Sequence, residues 1–488
     1  MSGDLQVLAA IALPLLGALG IAATGRWPNV RETVTLATAV SLTILFWSLL
    51  PAVMDGERPA AMLPAGIAGV PIAFSVEPLG MLFAALASLL WVVNSVYSIG
   101  YMRGNNESHQ TRFYICFAVA LSAAMGIAFA GNLLTLFLFY EILTLSTYPL
   151  VAHKGDAATL KQARVYLGIL LGTSIGLLLP AMLWVYLATG TLDFMPGGIV
   201  AGHIGGPALG LLLALCVFGV GKAAVMPVHR WLPAAMVAPT PVSALLHAVA
   251  VVKAGVFTIT KLIIYIFGVD YLFAEPSSGW LVYVAAFTVI AASVVALQQT
   301  NLKRLLAYST IGQLSYVVMA AAVLQPLAEV GAAVHIVAHA FGKITLFFAA
   351  GAIYTAAKKT ETGQLRGIGR RMPWTMAAFT IGALSMVGVP PTAGFVSKWF
   401  ILAGAFQSDN LVVIATIVLS TALNAAYFLP IIFRAWFREE DVAPARDHGE
   451  APWPMVLALT TTAFLTLAFF VANQPVLDLE LQLVRAAP

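Results

Sequence analysis

An all-α polytopic membrane protein of about fourteen transmembrane helices is the fold class this sequence predicts, and three observations carry the prediction. Hydrophobic residues fill 60% of the 488 positions while Asp, Glu, Lys and Arg reach only 9%, about a third of the soluble-protein norm. Apolar stretches of eighteen or more residues recur along the chain, each close to the ~20 residues that a helix needs to cross a bilayer. The basic residues alternate from loop to loop, as the rule that Lys and Arg collect on the cytoplasmic side requires. A soluble domain, a disordered chain, collagen, a coiled coil and a nucleic-acid-binding domain are all excluded by this composition. The formal charge of +4 therefore has to be read loop by loop and not as attraction to an anionic partner.

The spans fall in order at about 5–25, 33–54, 77–101, 112–130, 132–152, 163–189, 208–235, 241–268, 279–298, 304–324, 330–356, 372–405, 410–436 and 452–474. Only Ala130-Gly131-Asn132 separates the fourth from the fifth, and prolines interrupt the seventh and twelfth. No cleaved signal peptide is expected, because no basic segment precedes the first span. Loops leading from odd to even spans hold eighteen Lys and Arg, from Arg26 and Arg31 to Arg434, Arg438 and Arg446; the opposite loops hold only Arg58 and Arg485. This bias predicts an inner (plasma) membrane protein with both termini on the outer side. Cys116 and Cys216 lie in apolar runs. Two cysteines cannot ligate an iron–sulfur cluster alone, and no disulfide is indicated.

Five basic residues remain inside the spans: Lys222, Lys253, Lys261, Lys343 and Lys398. An ionisable group at bilayer depth is costly unless it faces protein or water, so its presence points to function. Glu141 in the fifth span is the one carboxylate near the middle of a span. Lys222 precedes Pro227, His229 and Pro233, and Lys398 follows Pro390-Pro391; prolines free backbone carbonyls, tolerated at depth only beside protein or a wet cavity. In the eighth span a regular helix places His247 and Lys253 about 120° apart. Lys261 is expected to snorkel to the outer interface. His335, His339 and Lys343 recur every fourth residue, on one helix face and about 6 Å apart in rise. Zinc is a poor fit to two histidines and a lysine with no carboxylate or thiolate on that helix, so no metal is expected and a proton relay is.

Two broken helices five spans apart indicate an inverted repeat, spans 4–8 and 9–13, since an odd offset reverses orientation. The chain accordingly divides into residues 1–110 (spans 1–3), 111–270 (first repeat), 271–440 (second repeat) and 441–488 (a loop and the last span).

Specific runs sharpen the picture. They are Phe-Tyr-Glu141, Gly-Lys222 with Met-Pro227-Val-His229-Arg-Trp-Leu-Pro233, Ala238-Pro239-Thr-Pro241-Val-Ser-Ala-Leu-Leu-His247, Lys303-Arg-Leu-Leu-Ala-Tyr308-Ser-Thr-Ile-Gly312-Gln, His335 through Lys343, and Pro390-Pro391 to Lys398. Over roughly residues 75–440 the chain resembles the antiporter-like subunits shared by respiratory complex I, Mrp-type sodium/proton antiporters and membrane-bound hydrogenases. The resemblance implies a Glu141–Lys222 pair, a central Lys253, His335 and His339 acting with Lys343, and Lys398 exchanging protons with the outer half-channel. A lysine at 398 leans away from the M-type subunit. Ending near fourteen spans leans away from the L-type subunit and the large Mrp A subunit. Gly-Phe395-Val-Ser-Lys398-Trp-Phe and Leu423-Asn-Ala-Ala-Tyr427-Phe-Leu-Pro430-Ile are most similar to the Mrp D subunit.

The expected function is proton translocation within a hetero-oligomeric membrane complex, coupled to Na⁺ efflux and carried by Glu141, Lys222, Lys253, His335, His339, Lys343 and Lys398, with His229 and His247 as secondary candidates. A proton-pumping subunit of a redox complex is the alternative, and an independent solute carrier a third. No nucleotide-binding glycine motif, haem-attachment pair or cluster of cysteines is present, so no cofactor is expected and redox chemistry would lie on partner subunits.

Overall fold

The computed structural model describes residues 3–67, 69–440 and 449–485; Arg446 lies outside them. In chain order the helices are α1 Gly3–Ala23, α2 Pro28–Met54, α3 Pro78–Gly104, α4 Gln110–Ala128, α5 Leu133–Val151, α6 Ala157–Thr189, α7 Gly206–Gly219, α8 Thr240–Phe267, α9 Trp280–Leu297, α10 Leu302–Ala322 and α11 Pro326–Ala357. They continue with α12 in two pieces, Pro373–Val387 and Ala393–Gln407, then α13 Leu411–Phe437, α14 Trp453–Val471 and α15 Gln474–Arg485. Twelve are long and apolar enough to cross a membrane. The interrupted positions seven and twelve complete the order expected from sequence.

Local chemistry explains the ends. Proline opens α2, α3 and α11, where its missing N–H costs nothing. The tight turn before α5 is held by Asn132, whose side chain accepts from the Thr135 N–H at 2.8 Å and donates to the Pro71 carbonyl at 2.8 Å. Pro71 belongs to a feature the all-α expectation missed, an antiparallel hairpin of β1 Ala60–Ile67 and β2 Val70–Ser75. It packs on the end of α4 and α5 through Gly131 N–H to Ala73 O at 2.8 Å and Ser75 N–H to Phe129 O at 2.7 Å. Its two strands are too short to span, and their backbone groups pair with one another and with that turn.

The core sits at α8 and α11. In each, the whole of the most apolar eighteen-residue stretch is buried, against about two fifths in α1, α6, α13 and α14. A helix enclosed all round is the one that can carry ionisable groups away from lipid.

The two ends of the bundle gather loops of one parity each. One cavity is lined by Lys154, Met236, Lys303 and Lys359 from the basic, odd-to-even loops and their flanks. Another is lined by Arg58, Pro196, Asp270 and Gln325 from the remaining loops. This sorting agrees with the count of about fourteen crossings expected from sequence.

α7 breaks earlier than its prolines suggest. The helix ends at Gly219, and a 3₁₀ turn at Gly221–Ala223 is followed by Ala224 in the left-handed region at φ 56°. α12 breaks as expected around Pro390-Pro391, with Gly388 at φ +89°. A Cβ on Gly388 would also lie 2.8 Å from the Lys398 side chain, so glycine serves both the turn and the lysine. Met226–Pro227 and Pro390–Pro391 are both cis.

α15, beyond the last span, packs against α3 and α11. Its Glu480 is fully enclosed and both carboxylate oxygens lack a hydrogen-bond partner. Burial, aided by the nearby Glu77 charge, pushes its carboxyl from 4.5 up to about 8. Between those values the docked helix keeps a proton that the undocked helix releases, so docking weakens as pH rises through that window. Hydrogen exchange of α15 is expected to quicken from pH 5 to 8, beyond the intrinsic rate change, in the wild type. In Glu480→Gln that excess should vanish.

Candidate functional site

All seven titratable residues singled out from sequence lie in the enclosed region: Lys222, Lys253 and Lys343 are wholly buried, His335, His339 and Lys398 nearly so, and the Glu141 carboxylate oxygens are buried. They form two clusters, not one continuous row.

The first cluster is at the α7 break. The 3₁₀ turn presents Lys222 to α5, where its Nζ donates to the Tyr140 carbonyl at 2.9 Å and to Thr144 Oγ1 at 2.5 Å, and sits 3.1 Å from the Tyr140 ring centroid. The Lys222 backbone N–H donates to Tyr140 Oη at 3.0 Å. Trp231 Nε1 closes the turn by donating to the Gly221 carbonyl at 2.8 Å. α8 reaches this turn because residue 255 is glycine: a Cβ there would lie 2.3 Å from Ala223 N and 2.4 Å from the Lys222 carbonyl carbon.

Glu141 makes no direct contact with Lys222. No hydrogen bond or ion pair joins it to Lys222 among the described residues, and neither carboxylate oxygen has a hydrogen-bond partner. The reason is helical geometry: Tyr140 and Thr144, four apart, share the face toward Lys222, while Glu141 is turned about 100° from Tyr140. With no hydrogen bond between them, what Glu141 can bring to bear on Lys222 is its charge.

The second cluster joins the chain's halves. Lys253 Nζ on α8 lies 2.5 Å from His339 Nδ1 on α11. His339 and His335 stack with centroids 6.1 Å apart, nearly parallel at 9°. His335 Nδ1 is 2.8 Å from Ser397 Oγ on the second piece of α12. The two imidazoles thus turn to different partners and share no coordination point. Among the described residues no group of three or more His, Cys, Asp or Glu is placed to hold a metal. Lys343 Nζ donates to Ser309 Oγ of α10 at 2.8 Å, and Tyr427 Oη donates to the same oxygen at 3.1 Å. Lys398 Nζ caps the end of the first piece of α12, donating to Val387 O at 2.8 Å and Met386 O at 3.3 Å, and reaches Thr421 Oγ1 at 3.1 Å.

His247 lies in this region but makes no hydrogen bond; its ring is 4.9 Å from Phe347. The regular-helix spacing from Lys253 does not hold, because Leu245–Val249 is a π-turn in which Ala250 N–H donates to Leu245 O at 2.9 Å. One extra residue per turn shifts every side chain before it, and such turns collect at functional sites. His229 stays apart, half-buried beside Tyr308 at 6.4 Å. No hydrogen bond links Lys222 to Lys253 among the described residues.

Lys261 does not snorkel. It is buried, ion-paired with Glu77 at the head of α3, and donates to the Ala130 carbonyl at 2.7 Å. The turn before α5, through Ala130 O, and the loop at 194–200 cover the end of α8 that an isolated span would leave at the interface: Met195 N–H donates to Tyr265 O at 3.2 Å, Ile199 N–H to Ile266 O at 2.8 Å, and the Phe194 ring centroid lies 4.5 Å from Lys261 Nζ. Sequence reasoning also missed Thr144, Ser309, Ser397 and Tyr427, hydroxyls with no signal of their own, and Glu77, which stood at the edge of a span. Lys303, counted as a loop residue, donates to Met236 O at 3.0 Å and Ala238 O at 2.6 Å, carbonyls freed after the α7 break.

Comparison with known proteins decides the lineage. The family described as NADH:quinone oxidoreductase/Mrp antiporter, TM, matches residues 130–424, more than half the chain. The chain belongs to this family of antiporter-like membrane subunits. It is 32% identical over 387 residues to NADH-quinone oxidoreductase subunit N of Desulforudis audaxviator, covering 77% of this chain and 75% of that one. It is 30% identical over 426 residues to F(420)H(2) dehydrogenase subunit N of Methanosarcina mazei, covering 84% of each. In fold it is similar to a chain of the Mrp complex from Dietzia sp. (TM-score 0.87, 22% identity, 99% of this chain and 96% of that one). It is also similar to a chain of an archaeal membrane-bound sulfane sulfur reductase (TM-score 0.86, 24% identity, 99% and 97%).

Proposed function

We propose that this chain translocates protons within a multisubunit monovalent-cation (Na⁺)/proton antiporter, in the place of the Mrp D subunit. The observation that carries the proton path is the Lys253–His339 contact at 2.5 Å, which brings the α8 lysine of one half against the histidine row of the other. Two basic groups at this distance cannot both be charged, so a proton on one excludes a proton on the other. Protons pass along His339, His335 and Ser397 toward Lys398, and Lys343 takes part through Ser309. Charge at Glu141 and Lys222 sets when Lys253 is loaded. The halves, residues 111–270 and 271–440, are inverted copies, a reading supported by the two breaks and the lysine at each. The basic loops face the cytoplasm, both termini lie outside, and other membrane subunits complete the path for Na⁺.

The redox-complex alternative is favoured by one fact, that both sequence relatives above are named as oxidoreductase or dehydrogenase subunits. Gentle solubilisation of a tagged chain, with mass spectrometry of everything retained, separates the two. Small membrane subunits with Na⁺-dependent proton flux after reconstitution are expected; a redox arm among the retained subunits would overturn the antiporter assignment.

A further inference from the structure

The face opposite the basic loops carries a cavity of about 410 Å³ between the ends of α3, α8 and α11. Three carboxylates line it, Glu77, Asp270 and Glu329, against one guanidinium, Arg58. Lys261 is close by, but its ammonium is engaged by Glu77 and the Ala130 carbonyl. Glu329 differs from its neighbours. It is 8% exposed, it lines the cavity, and its side chain makes no hydrogen bond or ion pair among the described residues. Asp270, itself exposed, is the like charge that acts on it. An ionised carboxylate so enclosed and unpaired is strongly disfavoured unless it holds a proton or draws in a cation.

The cavity also lies at the end of both helices that carry the second cluster. Glu329 precedes His335 on α11 by six residues, about 9 Å of rise, and Lys261 follows Lys253 on α8 by eight, about 12 Å. Lys398, in contrast, lines no part of it. Besides Asp270, the charged or titratable groups gathered at this end are Arg58, Glu77, Lys261 and Tyr265, with Glu480 of α15 behind Glu77.

We propose that this cavity is the port through which the buried relay exchanges protons with the bulk on that face, with Glu329 as the group that holds the proton. A hydronium ion in the cavity transfers its proton to the Glu329 carboxylate, leaving water and a neutral acid; the reverse step discharges it. Asp270 keeps a second charge near the mouth, and the Glu77–Lys261 pair fixes the head of α3 against α8. This port rests on the proton-translocating reading above.

The test uses the intact complex and two independent readouts. Infrared difference spectra across a pH titration should show a protonated carboxylic acid near neutral pH in the wild type that is missing in Glu329→Gln. Proton flux in the reconstituted complex should fall about tenfold or more in Glu329→Gln and be largely kept in Glu329→Asp. Asp270→Asn, which removes a like charge at an exposed position, should move the carboxylic-acid signal to lower pH; this variant also decides the matter if Glu329→Gln does not assemble. An unchanged signal in Glu329→Gln, or one that does not move in Asp270→Asn, overturns the port. Normal flux in Glu329→Gln beside lost flux in Lys253→Met overturns the port alone. Normal flux in Lys253→Met overturns the relay reading, while the infrared signal still decides whether Glu329 holds a proton.

Discussion

Lys253→Met and His339→Gln are each expected to cut coupled proton flux by roughly 10- to 150-fold, and the double variant to cut it no further. The magnitude follows from losing one charge-assisted hydrogen bond, about 1.5–3 kcal/mol, at a step through which every proton passes. Non-additivity is the sharper part. The two side chains meet in a single contact at 2.5 Å, so removing either removes the same transfer, and groups that act as a unit are grossly non-additive. Both replacements keep the approximate volume of fully enclosed sites, so assembly, followed by co-purification of partner subunits, should survive. Measured fluxes whose losses multiply in the double variant would show two separate paths and contradict a single relay between the halves.

Glu141→Gln and Lys222→Ala are expected to abolish coupled transport, a loss of tenfold or more, with assembly intact. Gln keeps the shape of Glu and removes only the charge. Since Glu141 makes no hydrogen bond to Lys222, this variant isolates the field that one residue exerts on the other. Opposite unit charges beyond ion-pair distance still interact by about 2 kcal/mol at roughly 8 Å and an effective dielectric of about 20, enough to move a proton equilibrium by more than tenfold. Lys222→Ala in addition strips the donor from the Tyr140 carbonyl and Thr144 Oγ1. A companion Thr144→Val, which removes an acceptor for the ammonium without touching its charge, is expected to fall between. Flux assayed with and without Na⁺ in reconstituted vesicles decides the matter; normal coupled flux in Glu141→Gln would remove Glu141 from the mechanism.

Much of this was legible before any fold was seen, and the reason is the bilayer. A solvent that cannot hydrogen-bond forces every crossing into a long apolar helix and makes each intramembrane charge conspicuous. The order of crossings, the side on which basic loops collect, the breaks at positions seven and twelve, and the buried Lys222, Lys253, His335, His339, Lys343 and Lys398 all follow from that constraint. Hidden from sequence were the contacts among these groups. Hydroxyls such as Thr144 and Ser309 cost little at any depth, so nothing marks them as partners until a helix is seen to face them. Lys261 and Glu77 sit near the ends of spans, where snorkelling to water is the ordinary outcome; only the turn before α5, which offers the Ala130 carbonyl, and the 194–200 loop packed on the end of α8 turn that edge into an interior.

What the sequence by itself determined is therefore what depends on one residue's transfer from water to lipid: the spans, the sorting of the basic loops, and the enclosure of Lys222, Lys253, His335, His339, Lys343 and Lys398. What only the tertiary structure decided is everything that depends on pairwise distance. The π-turn at Leu245–Val249 removes the periodicity from which the place of His247 was counted. The early end of α7 at Gly219 sends Lys222 to Tyr140 and Thr144 in place of Glu141. Glycine at 255 lets α8 close on that turn, and α11 meets α8 where Lys253 reaches His339. Helix rotation and crossing are set by packing between surfaces far apart in the chain, and no local pattern of apolar residues encodes them.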